Sequence, residues 1–411
     1  MESKDRWITY WSQPQRGLRL IPKNDLGRTI EVSLPINIEG NMIRIRFSND
    51  YGLSSVYIED VHIYYNDNVY KVTFNKSSCL KVSPSIEYIS DRISLNLERN
   101  TQIKVRFYIK ENQANRPVSG SVIHPSYGIN LIRSDIGNYA DFTHWEIDKT
   151  EDEFIDKENL VASDDKYKAI LMLLSGMDIY TKDYKQTVVA FGDSITEQGV
   201  WTEPLRKSFE NSSLINQGLG GNRLLKEIRN YASDINEDSE PVEKYLKSLN
   251  SFPLDIQFFG EAAIKRFERD VFKRNVNVSH VIVSLGINDL YQPGKNLALQ
   301  EELPSFEDII DGYLNLIEVA RIYKSKIFFC TITPFNGAEG IIEEREELRK
   351  RINHWIRNNK YIDGFFDFSK QIESKEEFTK IQEIYDSGDH LHPNSLGGMK
   401  MFECIDLNAF K

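Results

Sequence analysis

Apolar and polar positions alternate along the first part of the chain, and the rhythm then changes. Residues 41–47 (NMIRIRF), 55–65 (SVYIEDVHIYY), 92–97 and 102–109 carry apolar side chains at nearly every second position, the period of a half-buried strand. Turn-forming clusters at 48–52 (SNDYG), 65–68 (YNDN) and 98–100 (ERN) separate them. No helical pattern is clear before residue 150. Short alternating strands at this spacing predict an all-β sandwich or jelly-roll-like domain over residues 1–183.

From residue 187 onward, continuous apolar runs alternate with helical spacing, the signature of a parallel sheet layered with helices. Strands are predicted at 187–191, 214–216, 280–285, 326–332 and 364–368. Helices are predicted at 202–211, 309–323 and 341–356. A last helix begins just after Pro393 and carries Met399, Met401 and Phe402 into the core. The expected fold class is therefore α/β, a three-layer α/β/α domain over residues 184–411 preceded by the all-β domain. Residues 226–251 are polar and poor in strand signals; a surface excursion is favoured over a lid.

Composition narrows the partners. The 411-residue chain is long enough for two domains, and 62 acidic against 51 basic residues give a net charge of −11. That balance argues against nucleic acid or an anionic membrane as a partner. Arg44, Arg46, Lys104 and Arg106 alternate with apolar residues and read as the solvated face of strands. The longest apolar runs, such as 169–174, are strand-sized rather than membrane-spanning. The N-terminal residues lack an apolar stretch behind their charges, so no signal peptide is expected and the cytoplasm is the default compartment. Cys79, Cys330 and Cys404 form neither a disulfide framework nor a zinc pattern. His124, His144 and Trp145 are close in sequence; packing is favoured over a sugar-binding face.

Four clusters carry candidate chemistry. The run 187–191 (TVVAF) ends at Gly192-Asp193-Ser194, a strand-to-helix turn that would expose a serine hydroxyl near the positive end of a helix. The bland alternative is a pair of helix-capping residues. Next, 216–222 (NQGLGGN) has three glycines in four positions, which lets backbone N–H groups approach a small anion. It matches neither a phosphate loop nor a dinucleotide fingerprint. Third, 284–289 (SLGIND) puts Asn288 at the C-terminal end of a parallel strand, where its amide can donate to an oxyanion, unless it merely caps a turn. Last, Asp389 and His392 are three apart in a turn flanked by glycine and proline. An acid orienting an imidazole that deprotonates a serine is the logic of a hydrolase triad. Asp386, Asp389, His390 and His392 are also metal-ligand types, but they lack helical His spacing and a fourth cluster, so no metal is expected.

In this order the clusters resemble the SGNH (GDSL) family of serine hydrolases. Gly192-Asp193-Ser194-Ile195, Gly221, Gly286-x-Asn288-Asp289 and Asp389-x-x-His392-Pro393 match its four blocks, over about residues 185–411. The stretches 266–270 (RFERD) and 333–335 (TPF), and more loosely 6–9 (RWIT) and 46–52 (RFSNDYG), resemble a subgroup with an N-terminal β-sandwich. The resemblance implies that Ser194 is the nucleophile, His392 the base and Asp389 its orienting acid. It also implies an oxyanion hole made by the Ser194 N–H, the Gly221 N–H and the Asn288 side chain, with no cofactor. His390 is the rival base, and nothing is read from Asn222.

These readings converge on a serine esterase that hydrolyses a small acyl, acetyl ester of a carbohydrate or other small molecule. An acyltransferase or a lipase-like esterase would use the same residues. A different class, a non-catalytic carbohydrate-binding protein, is disfavoured by the intact set of site residues. Acyl chain length, the alcohol and oligomeric state are not encoded in any recognisable pattern.

Overall fold

The computed structural model describes residues 6–18, 21, 25–113, 116–142, 169–210, 212–227, 258–295, 298–338 and 343–411. These fall into two compact units that divide between Lys185 and Gln186, with Phe258 grouped with the first. His144 and Trp145, and nearly all of the 226–251 stretch, lie outside the described residues.

The first unit is built of antiparallel strands in three sheets, a β-sandwich architecture. One sheet is centred on Gly40–Ser48, paired with Leu174–Thr181 on one side and with Glu87–Ile89 and Ile93–Leu97 on the other. A second is centred on Thr101–Ile109, between Arg28–Ile36 and Val56–Tyr65. Alternate side chains from both make the core, among them Ile43, Ile45, Phe47, Ile103, Val105 and Phe107, all fully buried.

The other alternating face departs from the sequence reading. Arg46 and Arg106 are not solvated but buried, at 2% and 4% exposure. Arg46 pairs with Asp178 at 2.6 Å and Arg106 with Glu31 at 2.5 Å, while Arg44 and Lys104 pair with the same carboxylates from more open positions. Alternation reports that two faces differ, not that either is wet. A long cation facing a buried carboxylate produces the same pattern as one facing water. His124 is buried and packs edge-on against Tyr127, in keeping with the packing reading.

The second unit is a parallel five-stranded sheet flanked by helices, the α/β/α class expected. Its strands are β1 (Gln186–Gly192), β2 (Ser212–Gly218), β3 (Val278–Ser284), β4 (Lys326–Cys330) and β5 (Gly364–Phe366), in the order β2-β1-β3-β4-β5. β1 pairs on both sides, so Val188 to Phe191 are fully buried, and this explains a continuous apolar run rather than an alternating one. The order reverses at β1, and ligands in such sheets bind beyond the carboxyl ends of the strands at that point.

The helices are α1 (Ser194–Glu197), α2 (Thr202–Ser208), α3 (Ala263–Phe267), α4 (Ile287–Tyr291), α5 (Phe306–Ile322), α6 (Glu343–Asn358), α7 (Phe368–Ile372) and α8 (Ser395–Glu403). Two differ from expectation. A separate short helix, α1, precedes the one predicted at 202–211, so the serine itself opens a helix. In α8, Met401 is buried and Phe402 half-buried, but Met399 is 44% exposed. The glycines at 397 and 398 let that face of the helix pack closely, and a residue one or two positions on is rotated toward solvent.

Candidate active site

The four clusters come together beyond the carboxyl ends of β1, β2 and β3. Gly192 ends β1 in register with Gly218 of β2 and Ser284 of β3. A Cβ at Gly192 would lie 2.4 Å from the Ser284 carbonyl oxygen and 2.2 Å from Thr196 Oγ1, so only glycine lets the chain turn here. Asp193 then caps α1: its Oδ1 accepts the Ile195 N–H at 3.0 Å. The capping alternative is thus realised by Asp193, and that cap holds the next residue, Ser194, at the helix start. Burial pushes the Asp193 carboxyl up to about 7, against the pull of the Ile195 N–H and of His392.

Ser194 Oγ lies 2.7 Å from His392 Nε2, across 198 residues of sequence. His392 Nδ1 lies 2.6 Å from Asp389 Oδ2. Asp389 Oδ1 accepts the backbone N–H groups of Leu391 and His392 at 2.9 and 2.8 Å. Burial alone would raise the Asp389 carboxyl. The hydrogen bond and charge of His392, with those two N–H donors, outweigh it and hold the carboxyl far below its usual range. An ionised Asp389 fixes the imidazole proton on Nδ1 and leaves Nε2 as the acceptor for the serine hydroxyl. His390, by contrast, turns to Asp386 at 2.6 Å.

Gly221 has φ +72°, and a Cβ there would lie 2.2 Å from the Phe259 ring, so its conformation and its neighbour both require glycine. Among the described residues, the N–H groups of Ser194 and Gly221 have no hydrogen-bond acceptor. Asn288 is 4% exposed and donates one amide hydrogen to the Asn222 carbonyl at 3.0 Å. The second hydrogen of that amide remains for another acceptor.

Sequence reasoning missed the side chains that hold these pieces. Asn222 is buried and donates to the Phe259 and Glu261 carbonyls. Asp289 accepts the Leu224 and Leu225 N–H groups at 2.7 and 3.1 Å, and burial raises its carboxyl. Arg266, fully buried on α3, donates to the carbonyls of Gly192 and Gln217 and to Asn222 Oδ1, while Asp270 takes its remaining charge at 3.2 Å. Three arginines, 266, 269 and 274, overcome burial and hold Asp270 at about 2. Arg266 and Asp270 sit four apart where α3 runs on into a π-turn, Glu268–Lys273. That spacing, with the resemblance noted for 266–270, was the available signal.

A family model described as GDSL-like Lipase/Acylhydrolase matches residues 188–405, which contain all of these positions. The chain belongs to the GDSL-like lipase/acylhydrolase family. It is accordingly a carboxylic ester hydrolase. Among curated proteins none matches this acylhydrolase. Its fold is similar to solved structures of a GDSL-like lipase from Bacteroides thetaiotaomicron (19% identity, TM-score 0.37, 55% of this chain and 88% of that one). A member of the lipolytic protein G-D-S-L family from Veillonella parvula is similar at 18% identity and TM-score 0.32, over 53% and 95%. An acetylxylan esterase from Geobacillus stearothermophilus is similar at 14% identity and TM-score 0.36, over 54% and 92%. Among the described residues of the acylhydrolase, no helix is long and apolar enough to cross a membrane, and no three His, Cys, Asp or Glu are grouped to hold a metal ion.

Proposed function

We propose that this acylhydrolase is a serine esterase that removes a short acyl group, acetyl, from a carbohydrate ester. The observation that carries the reading is the unbroken Ser194–His392–Asp389 chain of hydrogen bonds, at 2.7 and 2.6 Å. Ser194 Oγ attacks the ester carbonyl carbon as its proton passes to His392 Nε2. The oxyanion that forms is held by the N–H groups of Ser194 and Gly221 and by the Asn288 amide. His392 returns the proton to the leaving alcohol, then activates the water that hydrolyses the acyl-enzyme. No cofactor enters.

The polar turn beside the nucleophile supports a short acyl group. A Cβ at Gly220 would lie 3.8 Å from Ser194 Cβ and 2.7 Å from Glu197 Oε2, so a carboxylate and a tight turn border the serine. An extended hydrocarbon chain is poorly matched to such a border. In the same reading residues 1–183 form the separate sandwich domain of a two-domain esterase whose catalytic domain spans 184–411.

The test is hydrolysis of p-nitrophenyl acetate, butyrate and octanoate by wild type and Ser194→Ala. Acetate preference with an inert alanine variant is expected, and acetylated sugars follow as substrates. Preference for octanoate would replace the short-acyl assignment with a lipase-like one. Activity that survives Ser194→Ala would sink the mechanism.

A further inference from the structure

We infer that Gln292 is a positioning residue that sets which end of the Asn288 amide faces the reacting carbonyl. The inference rests on the oxyanion role proposed for Asn288 and goes beyond it. Gln292 directly follows α4 and stands four residues beyond Asn288, so both side chains project from the same helix face. Its Nε2 donates to the Gly221 carbonyl at 2.9 Å and to Asn288 Oδ1 at 3.2 Å. Asn288 Nδ2 in turn donates to the Asn222 carbonyl. Two side chains of one short helix thus hold two consecutive carbonyls of the glycine turn.

The direction of each amide follows from chemistry. Backbone carbonyls only accept, so the end of Gln292 facing Gly221 and the end of Asn288 facing Asn222 must both be NH2 groups. The remaining contact between the two amides is then a donor on Gln292 and an acceptor on Asn288. The ring closes in one sense only. Without Gln292, the Asn288 oxygen loses its donor and only the Asn222 carbonyl still orients the amide, which is then held less firmly where negative charge develops. The Gly221 carbonyl, one peptide beyond the Gly221 N–H, also loses its side-chain donor. Gln292 is 4% exposed, and its own Oε1 is buried without a donor among the described residues. A side chain kept for packing alone would not need an amide at that position.

Four proteins decide the matter with p-nitrophenyl acetate: wild type, Gln292→Met, Asn288→Ala and the double variant, each checked for Tm. Methionine keeps the volume and removes both donors. Its kcat should fall roughly 10- to 100-fold with KM changed less than about threefold, short of the hundred- to thousandfold typical of losing an oxyanion donor outright. In the Asn288→Ala background the same substitution should cost under about fivefold, because the amide it orients is gone. An undiminished kcat in folded Gln292→Met, or an equal loss in both backgrounds, would overturn the inference. Full activity in Asn288→Ala would instead remove the oxyanion reading beneath it. Should Gln292→Met fail to fold, Gln292→Glu serves. An ionised carboxylate only accepts, so it forces the Asn288 NH2 toward itself, and kcat should drop below that of Asn288→Ala. A Gln292→Glu variant more active than Asn288→Ala would count against the proposal.

Discussion

The turn from Asp386 to His392 holds two aspartate–histidine pairs of nearly the same construction. In each, one carboxylate oxygen takes the imidazole Nδ1 at 2.6 Å and the other takes two backbone N–H groups. The first pair has a buried acid, Asp386 at 6%, and an open imidazole, His390 at 54%. The second inverts this, with Asp389 at 49% and His392 at 20%. What separates them is the far nitrogen: His392 Nε2 meets Ser194, whereas His390 lies over the backbone of Gly337. An oriented imidazole becomes a base only where a nucleophile waits on its other side. His390 also sits at φ +59°, an unfavourable region for a residue with a Cβ. It forms the bend that brings His392 around.

The largest test of this contrast is removal of each imidazole. His392→Ala should lose on the order of 10⁴- to 10⁶-fold in kcat on p-nitrophenyl acetate. Asp389→Asn should lose about 10²- to 10⁴-fold, because the wrong tautomer is then stabilised. If His390→Ala matched either loss, the assignment of the base would have to move to the first pair.

A smaller effect lies in acid stability. The folded Asp389 carboxyl is held below its unfolded value of 3.8, so its ionised form supports the fold above about pH 4 and that support disappears as pH falls further. The Tm gap between wild type and Asp389→Asn should be widest at pH 5 to 7 and should close towards about pH 2. The underlying stability difference should stay under about 1 kcal/mol, because a half-exposed pair is screened by solvent. A gap that widened with acid would contradict the sign. The smallest effect is expected of His390→Asn, since asparagine tolerates positive φ. Turnover should stay within about tenfold and stability within about 0.5 kcal/mol of wild type. A collapse of turnover there would show that the bend depends on the Asp386–His390 pair.

The two pairs also show what a sequence reveals. Ser194 and Asn288 stood out as candidates because each lies in a turn after an apolar strand, and Asp389 and His392 because they share a turn flanked by glycine and proline. The choice between His390 and His392 was open to chemistry alone, since both are near an aspartate in sequence; only the approach of Ser194 separates them. The role of Gln292, and that of Arg266 beyond its place in the 266–270 resemblance, were illegible for a different reason. Among the acceptors of each is a backbone carbonyl, Gly192 for Arg266 and Gly221 for Gln292, 74 and 71 residues away, and a carbonyl has no letter in the sequence. Arg46 and Arg106 were misread because alternation cannot distinguish water from a buried carboxylate. The fold class was the easiest part, since the buried run of β1 and the alternating strands before it differ in period.

Ser194 and His392 stand 198 residues apart, with β2 to β5 between them. At typical synthesis rates that separation is roughly 10 to 40 s of translation. Over that interval the growing chain carries Ser194 without its hydrogen-bond partner His392. On the proposed mechanism, esterase activity starts only when the turn that carries His392 docks beside Ser194. On that mechanism incomplete chains should be inert toward esters, and the appearance of turnover during synthesis would report the completion of folding itself.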